Sequence, residues 1–567
     1  MDMVRRHLLS GVIAGGLTGV ATAGVLFLLS GLQLTSFVPL DIANTIIALT
    51  PGDIATTTIE TVGAWGKRLV VMTGVAGFVV AFSGLGVVLV WLMHPRTAEA
   101  HPRRWLMLGA LLGVLPLALS LLIQYAVPAN RATVPASISP FVLTLVYTLA
   151  GMTLGWFASV LTAPSSTTPV PASNQRRAFL LGGGGALLSL AAGSTVLAWL
   201  LPRSGPKQAG AILPTPRASS PTPTSTSTAL PSMVVDAPTA TSVPATSATA
   251  LPTTMLPPTP TALPAFVAAP GTREEITKQE FLYVISSSTR DPIVDQQQWR
   301  LTVGGAVKSP FSLTYDELLA LPRHDQTSTM ECISNEVGNY LIGNCNWNGV
   351  LLRDLLIRAG VEDGVSDIVF RAADGYSESL PVTDALDAQT LIAYGIDGAA
   401  LELKHGFPAR IRIAGKYGVK NVKWLTSIEA VNNDYKGYWQ QRGWTDEATI
   451  FTTSVFDTAN PYTSDGKLMS DNGRVALGGI AFAGKRGIRK VEVQIDGADW
   501  AEARLKEASS DITWRLWRYD WSATPGKHTL VVRATDGNGE VQTAKVQDTH
   551  PDGATGHHTI AVEVMPA

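Results

Sequence analysis

The chain has 567 residues, with 43 Lys/Arg against 45 Asp/Glu and a formal net charge of −2. That balance excludes a nucleic-acid partner held by a basic field. Hydrophobic residues make up 46% and charged residues only 16%, an average that hides a division. Residues 1–202 are mostly apolar, 203–270 are rich in Pro, Thr, Ser and Ala, and 271–567 have a globular composition.

Five apolar runs lie at roughly 8–32, 69–93, 105–127, 140–162 and 179–202. Each is long enough to cross a bilayer, which takes about 20 residues. The competing reading, buried helices of a soluble domain, fits poorly with runs so long and so free of charge. Residues 1–202 are therefore expected to form a five-helix membrane anchor. Arg5, Arg6, Arg96, Arg103, Arg104, Arg176 and Arg177 fall on one side of the spans, and Lys67, Arg68, Arg131 and Arg203 on the other. The bias predicts a cytoplasmic N-terminus and a multi-pass protein of the cell membrane, with everything after residue 202 on the extracytoplasmic side. The fifth run opens NQRRAFLLGGGGALLSLAAG, which resembles a twin-arginine export signal; inside-positive anchoring by Arg176 and Arg177 is the plainer alternative. His7, His94 and His101 sit at or beyond span ends, so the spans lack the axial ligands a membrane haem usually needs. Anchoring, or docking of a partner, is the expected role.

Residues 203–270 include PTPRASSPTPTSTSTALP and LPTTMLPPTPTALP. Such a segment cannot bury enough apolar surface to fold and reads as a disordered tether. Fully extended as polyproline, it would reach on the order of 200 Å at about 3.1 Å per residue.

Residues 271–455 mix short strand patterns with helical ones, an α+β composition. WRLTVGGAV (299–307) alternates and then turns. SLTYDELLALP (312–322) opens with a Ser/Thr cap and carries leucines at helical spacing, and VLLRDLLIRAG (350–360) is amphipathic up to Gly360. Between them stands MECISNEVGN (330–339), holding Cys332, one of two cysteines in the chain. A buried inert thiol, or a disulfide with Cys345, would account for it by residue type alone.

The stretch STMECISNEVGNYLIGNCNWNGVLLRDLLIRAGV resembles the molybdopterin-binding domain of the sulfite oxidase family. The resemblance continues through FLYVISSSTRDP, DGYSESLPVTDALDAQTLIAYGIDG and HGFPARIRIAGKYGVKNVKWLTSIEAV, and covers about 271–455. It implies a molybdenum held by a pterin dithiolene and by the Cys332 thiolate, a soft ligand kept deprotonated by the metal. The HGFPAR…NVKW segment matches the family pattern and implies cofactor contacts at His405, Arg410, Asn421, Val422 and Lys423. YVISSSTR implies contacts at Ile285, Ser286, Ser287 and Ser288, with Asp374 a further candidate. A pterin phosphate needs such a cluster of cationic and backbone donors. Tyr376, in DGYSES, matches a tyrosine beside the metal, placed to donate a hydrogen bond to substrate; a structural tyrosine is the alternative.

Two departures bear on substrate. The arginine that sulfite oxidases place in the YVISSS segment is Ser286 here, and Glu336 and Val337 stand where an Arg-Arg pair would follow the cysteine motif. An anionic substrate needs compensating charge at short range, so a neutral sulfoxide or thioether fits better than sulfite. No haem-attachment CxxCH is present, and a separate electron-transfer partner, a cytochrome or a quinone-linked protein, is expected.

Residues 456–567 read as short strands, RVALGGIAFAG, RKVEVQID, ITWRLWRYDW, HTLVVRATD and HHTIAVEV, separated by Asp-Gly and Asn-Gly turns. The pattern predicts an immunoglobulin-like β-sandwich and resembles the family's dimerisation domain, so a homodimer is implied by kinship. The sequence thus predicts a membrane-anchored molybdenum oxidoreductase acting on a small molecule. Its rivals are a sulfite dehydrogenase and a non-catalytic adhesin or binding module displayed on a stalk, and molybdenum analysis of the purified protein would separate the second from an enzyme.

Overall fold

A computed structural model describes residues 2–32, 34–50, 64–93, 102–126, 138–162, five positions between 185 and 192, 265–287, 291–460, 466–469 and 471–565. Met1–Pro214 and Ala268–Ala567 belong to one compact unit. Thr215–Val267 form another, and nearly all of it lies outside the described residues. The linker expectation therefore falls almost wholly outside them, as does the fifth apolar run at 179–202.

The N-terminal block comprises α1 (Asp2–Gly31), α2 (Val38–Leu49), α3 (Ala64–Met93), α4 (Pro102–Leu112), α5 (Val114–Ala126) and α6 (Ser139–Thr162). Among the described residues four segments are long and apolar enough to cross a membrane: His7–Gly31, Leu69–Met93, Pro102–Ala126 and Ser139–Thr162. The third is α4 and α5 in series, with a turn at Gly113. The 12-residue α2 was not anticipated, because a run that short gives no spanning signal. Close approach holds the bundle together. Gly11 of α1 faces Gly86 of α3, and a Cβ on either would meet the other's carbonyl oxygen, at 2.7 and 2.1 Å respectively. Small residues allow this contact where apolar surroundings supply no hydrophobic drive between helices. Polar side chains inside the bundle satisfy one another: Gln124 Nε2 donates to Ser139 Oγ at 3.0 Å, and Ser120 Oγ lies 2.7 Å from the Tyr147 hydroxyl.

The β-rich part begins with β1 (Leu301–Gly305), β2 (Phe311–Leu313), β3 (His324–Glu331), β4 (Ile342–Leu351), β5 (Asp367–Ala372), β6 (Ser377–Pro381), β7 (Thr390–Ile396), β8 (Ala399–Ala400), β9 (Arg410–Ile413) and β10 (Leu425–Val431). One sheet runs β2-β1-β10-β5-β6, with β1 and β10 parallel; the other runs β3-β4-β7-β8, with β9 also pairing β7. Trp347, Leu356, Phe370, Ile392, Ile411 and Leu425 share the core between them. Two helices match the sequence pattern. At α7 (Tyr315–Leu319), Thr314 Oγ1 accepts from Glu317 N at 3.1 Å while Glu317 Oε2 accepts from Thr314 N at 2.8 Å, a reciprocal cap. In α8 (Leu352–Ala359), Leu352, Leu355, Leu356 and Ala359 are buried, and Gly360 ends the helix at φ 68°.

The C-terminal part contains β11 (Thr453–Phe456), β12 (Lys467–Met469), β13 (Arg474–Phe482), β14 (Ile488–Ile495), β15 (Ala501–Glu502), β16 (Arg504–Leu505), β17 (Arg515–Ser522), β18 (Gly526–Asp536) and β19 (His558–Met565). Sheets β11-β13-β17-β16 and β12-β19-β18-β14-β15 enclose a core of Phe456, Leu477, Val491, Trp517, Val532 and Ile560. Strand β11 straddles residue 455 and pairs with β13. The start of the preceding segment also packs on this part: Arg273 Nη2 lies 2.5 Å from Asp457 Oδ1, and Trp514 Nε1 donates to Glu275 O at 2.9 Å.

Candidate active site

Strand β3 ends at Glu331, and the chain turns sharply through Cys332. Cys332 N donates to Leu341 O and Asn335 N donates to Cys332 O, which fixes the loop on both sides of the thiol. Cys332 and Cys345 are both free, so the disulfide alternative fails. Their environments differ. Cys345 is fully buried in β4, with Sγ donating to Thr277 O at 3.1 Å, and serves packing. Cys332 lines a cavity of about 1270 Å³, with Sγ 3.1 Å from Ser334 Oγ. Burial pushes the Cys332 thiol above its ordinary value; without a bound cation it holds its proton.

A close approach shapes the floor. A Cβ at Gly418 would stand 2.6 Å from the Tyr283 hydroxyl and 3.7 Å from Cys332 Cα. Glycine therefore lets the 418–421 turn lie against the cysteine loop.

Of the sequence-predicted residues, Ile285, Ser286, Ser287, Cys332, Asp374, Tyr376, His405, Arg410, Asn421 and Lys423 all line this one cavity. Ser288 lies outside the described residues. Val422 stands apart from these: its side chain is 1% exposed, belongs to the core between the sheets, and does not line the cavity. Its carbonyl accepts from Ile411 N at 2.8 Å, which ties it to β9. Asn421 reaches the cavity, but its side chain is spent on the fold. Its Oδ1 accepts from Ile413 N at 2.8 Å and Arg412 Nη1 at 3.2 Å, while Nδ2 donates to Tyr417 O at 3.1 Å. The basic residues of β9 are also less exposed than a sheet edge implies, with Arg410 3% and Arg412 0% exposed.

The electrostatics of this wall are unbalanced. Arg410 donates to His405 O, Asn421 O and the Met330 sulfur, and Arg412 to Thr329 O at 2.6 Å; no carboxylate pairs with either guanidinium among the described residues. Burial lowers Arg410 to about 10 and Arg412 to about 9. Four polar atoms of cavity-lining residues are buried without a hydrogen-bond partner: the Tyr283 hydroxyl, His405 Nε2 and Arg410 Nε here, and Trp444 Nε1 among the aromatic residues. Burial, then the Arg410 charge, holds His405 neutral down to about 3. Nearby, Lys423 Nζ donates to Ser286 Oγ at 2.6 Å and to Lys404 O at 3.1 Å. Unpaired buried donors and cations are costly, and here they converge on a space with a thiol at its floor. The donor set fits an anionic, polar-ringed cofactor bonded through sulfur.

The opposite wall is aromatic. Tyr376, Tyr438, Trp439 and Trp444 form a chain of ring contacts with centroids 5.8, 5.1 and 6.1 Å apart. Glu336 and Val337 line the same space, as do Gln547 and His557 from the loop that leads into β19. The rim also carries Ile47, Thr50 and Val70 of the helical block. Sequence reasoning missed Tyr283 and, of the aromatic wall, Tyr438, Trp439 and Trp444. Tyr283 stood two residues before Ile285, in a segment already singled out, so alternation would have placed both on one face.

These features define a cofactor-binding redox domain. The family profile described as "Oxidoreductase molybdopterin binding domain" matches residues 288–439. The mitochondrial sulfite oxidase of Drosophila melanogaster is 29% identical over 281 residues, 42% of this chain and 49% of that protein. The uncharacterized oxidoreductase YuiH of Bacillus subtilis is 31% identical over 150 residues, 26% of this chain and 74% of the relative. The putative protein-methionine-sulfoxide reductase subunit YedZ1 of Azospira oryzae is 34% identical over 151 residues, 27% of this chain and 56% of that protein. The chain spans about half the length of the mitochondrial sulfite oxidases it matches. It belongs to the sulfite oxidase family of molybdopterin-dependent oxidoreductases, and molybdopterin is its cofactor.

Proposed function

We propose that this protein is a membrane-anchored, extracytoplasmic molybdenum oxidoreductase that moves an oxygen atom to or from a small neutral substrate of the sulfoxide or thioether class. The observation that carries the reading is the Cys332 thiol at the floor of a cavity whose other wall holds buried, unpartnered donors. Cys332 would ligate the metal; His405, Arg410 and Lys423 would hold the pterin and its phosphate, with Ser286, Ser287 and Ile285 along one edge. When bound, the group supplies a two-electron redox centre that exchanges an oxygen atom with substrate; the protein supplies orientation, exclusion of water and electrostatics.

The neutral substrate follows from the charges available. Arg410 is the one arginine among the described lining residues, and its hydrogen bonds run to protein carbonyls and sulfur. The aromatic wall suits a sulfur centre, which packs well against ring edges. Tyr376 would donate to the substrate oxygen. Electrons would pass to or from a separate carrier, a cytochrome or a quinone-linked protein, and Ile47, Thr50 and Val70 at the rim suit one held at the membrane. The C-terminal sandwich is read as an immunoglobulin-like dimerisation module.

The test is the full-length protein from a host that makes the cofactor. About one molybdenum per chain, with turnover of small sulfoxides exceeding turnover of sulfite, supports the reading. Faster sulfite oxidation favours a sulfite dehydrogenase, and metal-free mature protein removes the enzyme reading.

A further inference from the structure

We propose that Glu378, Lys420 and Asp446 form a proton path joining Tyr376, at the cavity wall, to solvent. The inference rests on the oxidoreductase reading, since two-electron transfer of an oxygen atom moves two protons: a sulfoxide, two electrons and two protons give a thioether and water. The separate carrier supplies the electrons, and the protons must reach the part-buried Tyr376 hydroxyl at the cavity wall.

Tyr376 and Glu378 stand two residues apart at the head of β6 and so lie on one face. The Tyr376 hydroxyl donates to Val419 O at 2.7 Å, and Glu378 Oε2 lies 3.4 Å from the same hydroxyl oxygen. A phenol has one hydrogen. With that hydrogen on Val419 O, the oxygen's lone pair is free to accept from a protonated Glu378. Behind Glu378, Lys420 Nζ donates to Glu378 Oε1 at 2.9 Å and to Asp446 Oδ1 at 2.8 Å. The Lys420 and Glu378 side chains are 1% and 0% exposed, whereas Asp446 is 37% exposed. The series therefore begins at the cavity, crosses the interior and ends in water. Burial raises Glu378 above the usual carboxylate range, against the lowering by Lys420, which favours a carboxyl that gains and loses a proton. Asp374 and Tyr438 also face Tyr376, and both side chains line the cavity rather than the interior path.

In the reducing direction the Tyr376 hydroxyl turns its single hydrogen from Val419 O to the departing substrate oxygen and gives up that proton. Glu378 restores it, Lys420 reprotonates Glu378, and Lys420 is refilled through Asp446 from solvent. Each transfer breaks one O–H or N–H bond and forms another, with no change of oxidation state. Oxidation runs the series backwards.

The test uses cofactor-loaded full-length protein carrying Glu378→Gln, which keeps the shape and removes the exchangeable carboxyl proton. Expected are wild-type molybdenum content, an unchanged KM, and a kcat lower by about ten- to a hundredfold. A larger solvent deuterium isotope effect and a flattened pH profile should accompany it. Independently of turnover, infrared difference spectra across acid to neutral pH should show a protonated-carboxyl band that this variant lacks. Wild-type kcat, isotope effect and pH profile in a loaded variant overturn the path. If Glu378→Gln does not load the cofactor, Asp446→Asn decides: a lowered kcat at full metal content supports the path, and an unchanged kcat and isotope effect overturns it. If wild-type protein turns over no oxygen-atom substrate, the enzyme reading fails by itself, and the infrared band still decides whether Glu378 titrates.

Discussion

Arg410 and Lys420 are ten positions apart in sequence, both are at most 3% exposed, and the fold treats them in opposite ways. Lys420 is neutralised from within by Glu378 and Asp446. Arg410, with Arg412 beside it and both guanidiniums over the Trp347 ring, has neutral acceptors only. A buried cation needs a counter-charge. The contrast teaches that the charge at Lys420 is balanced as folded, whereas the charge at Arg410 is not, and the proposed pterin phosphate would offset it.

The largest expected effect breaks the cofactor wall at its centre. Cys332→Ser should abolish bound molybdenum and reduce turnover to background, read by metal analysis and assay of the same preparation. Next, Lys420→Met leaves Glu378 buried without its main partner and should cost about 3–5 kcal/mol of stability in denaturant unfolding. Arg410→Met sharpens the contrast. It should weaken cofactor retention by about 2–5 kcal/mol, while leaving cofactor-free protein as stable as wild type or more so, because it removes an unpaired buried charge. Equal destabilisation of the cofactor-free protein by both variants would erase the distinction between the walls.

A pH series gives a smaller effect. His405 titrates at about 3 in the folded protein and near 6.5 when unfolded. Its folded value is depressed, so the unfolded chain binds the proton more readily. The stability His405 contributes is therefore full above about 6.5 and is lost progressively as pH falls toward 3. His405→Gln should flatten that part of the acid limb in thermal melts of cofactor-free protein. Smallest of all, Lys436→Ala removes an exposed pair with Asp446 and Asp434 and should change stability by about 0–1 kcal/mol.

Much of the site was legible because its chemistry is local in sequence. The cysteine loop, the HGFPAR…NVKW run, the YVISSS segment and the DGYSES turn carry the expected contacts, and ten of those residues meet in one cavity. What the chain's local pattern does not show has a common cause. Val422 sits between two cavity residues, and only tertiary packing places its side chain in the core. Asn421 has the right type and place, yet three hydrogen bonds to Ile413, Arg412 and Tyr417 commit its side chain to the turn. Short α2 escaped because its 12 residues are too few for a spanning signal.

By itself the sequence determined the apolar block, the strand and helix periods of the β-rich part, and the family, since these depend on residue types at short spacing. The tertiary structure alone decided which buried charges are balanced, which donors are left without partners, and that Glu378, Lys420 and Asp446, spread over 42 and 26 residues of separation, stand in hydrogen-bonded series. Burial and long-range contact set the energy of a charge, and neither can be read from its neighbours in the chain.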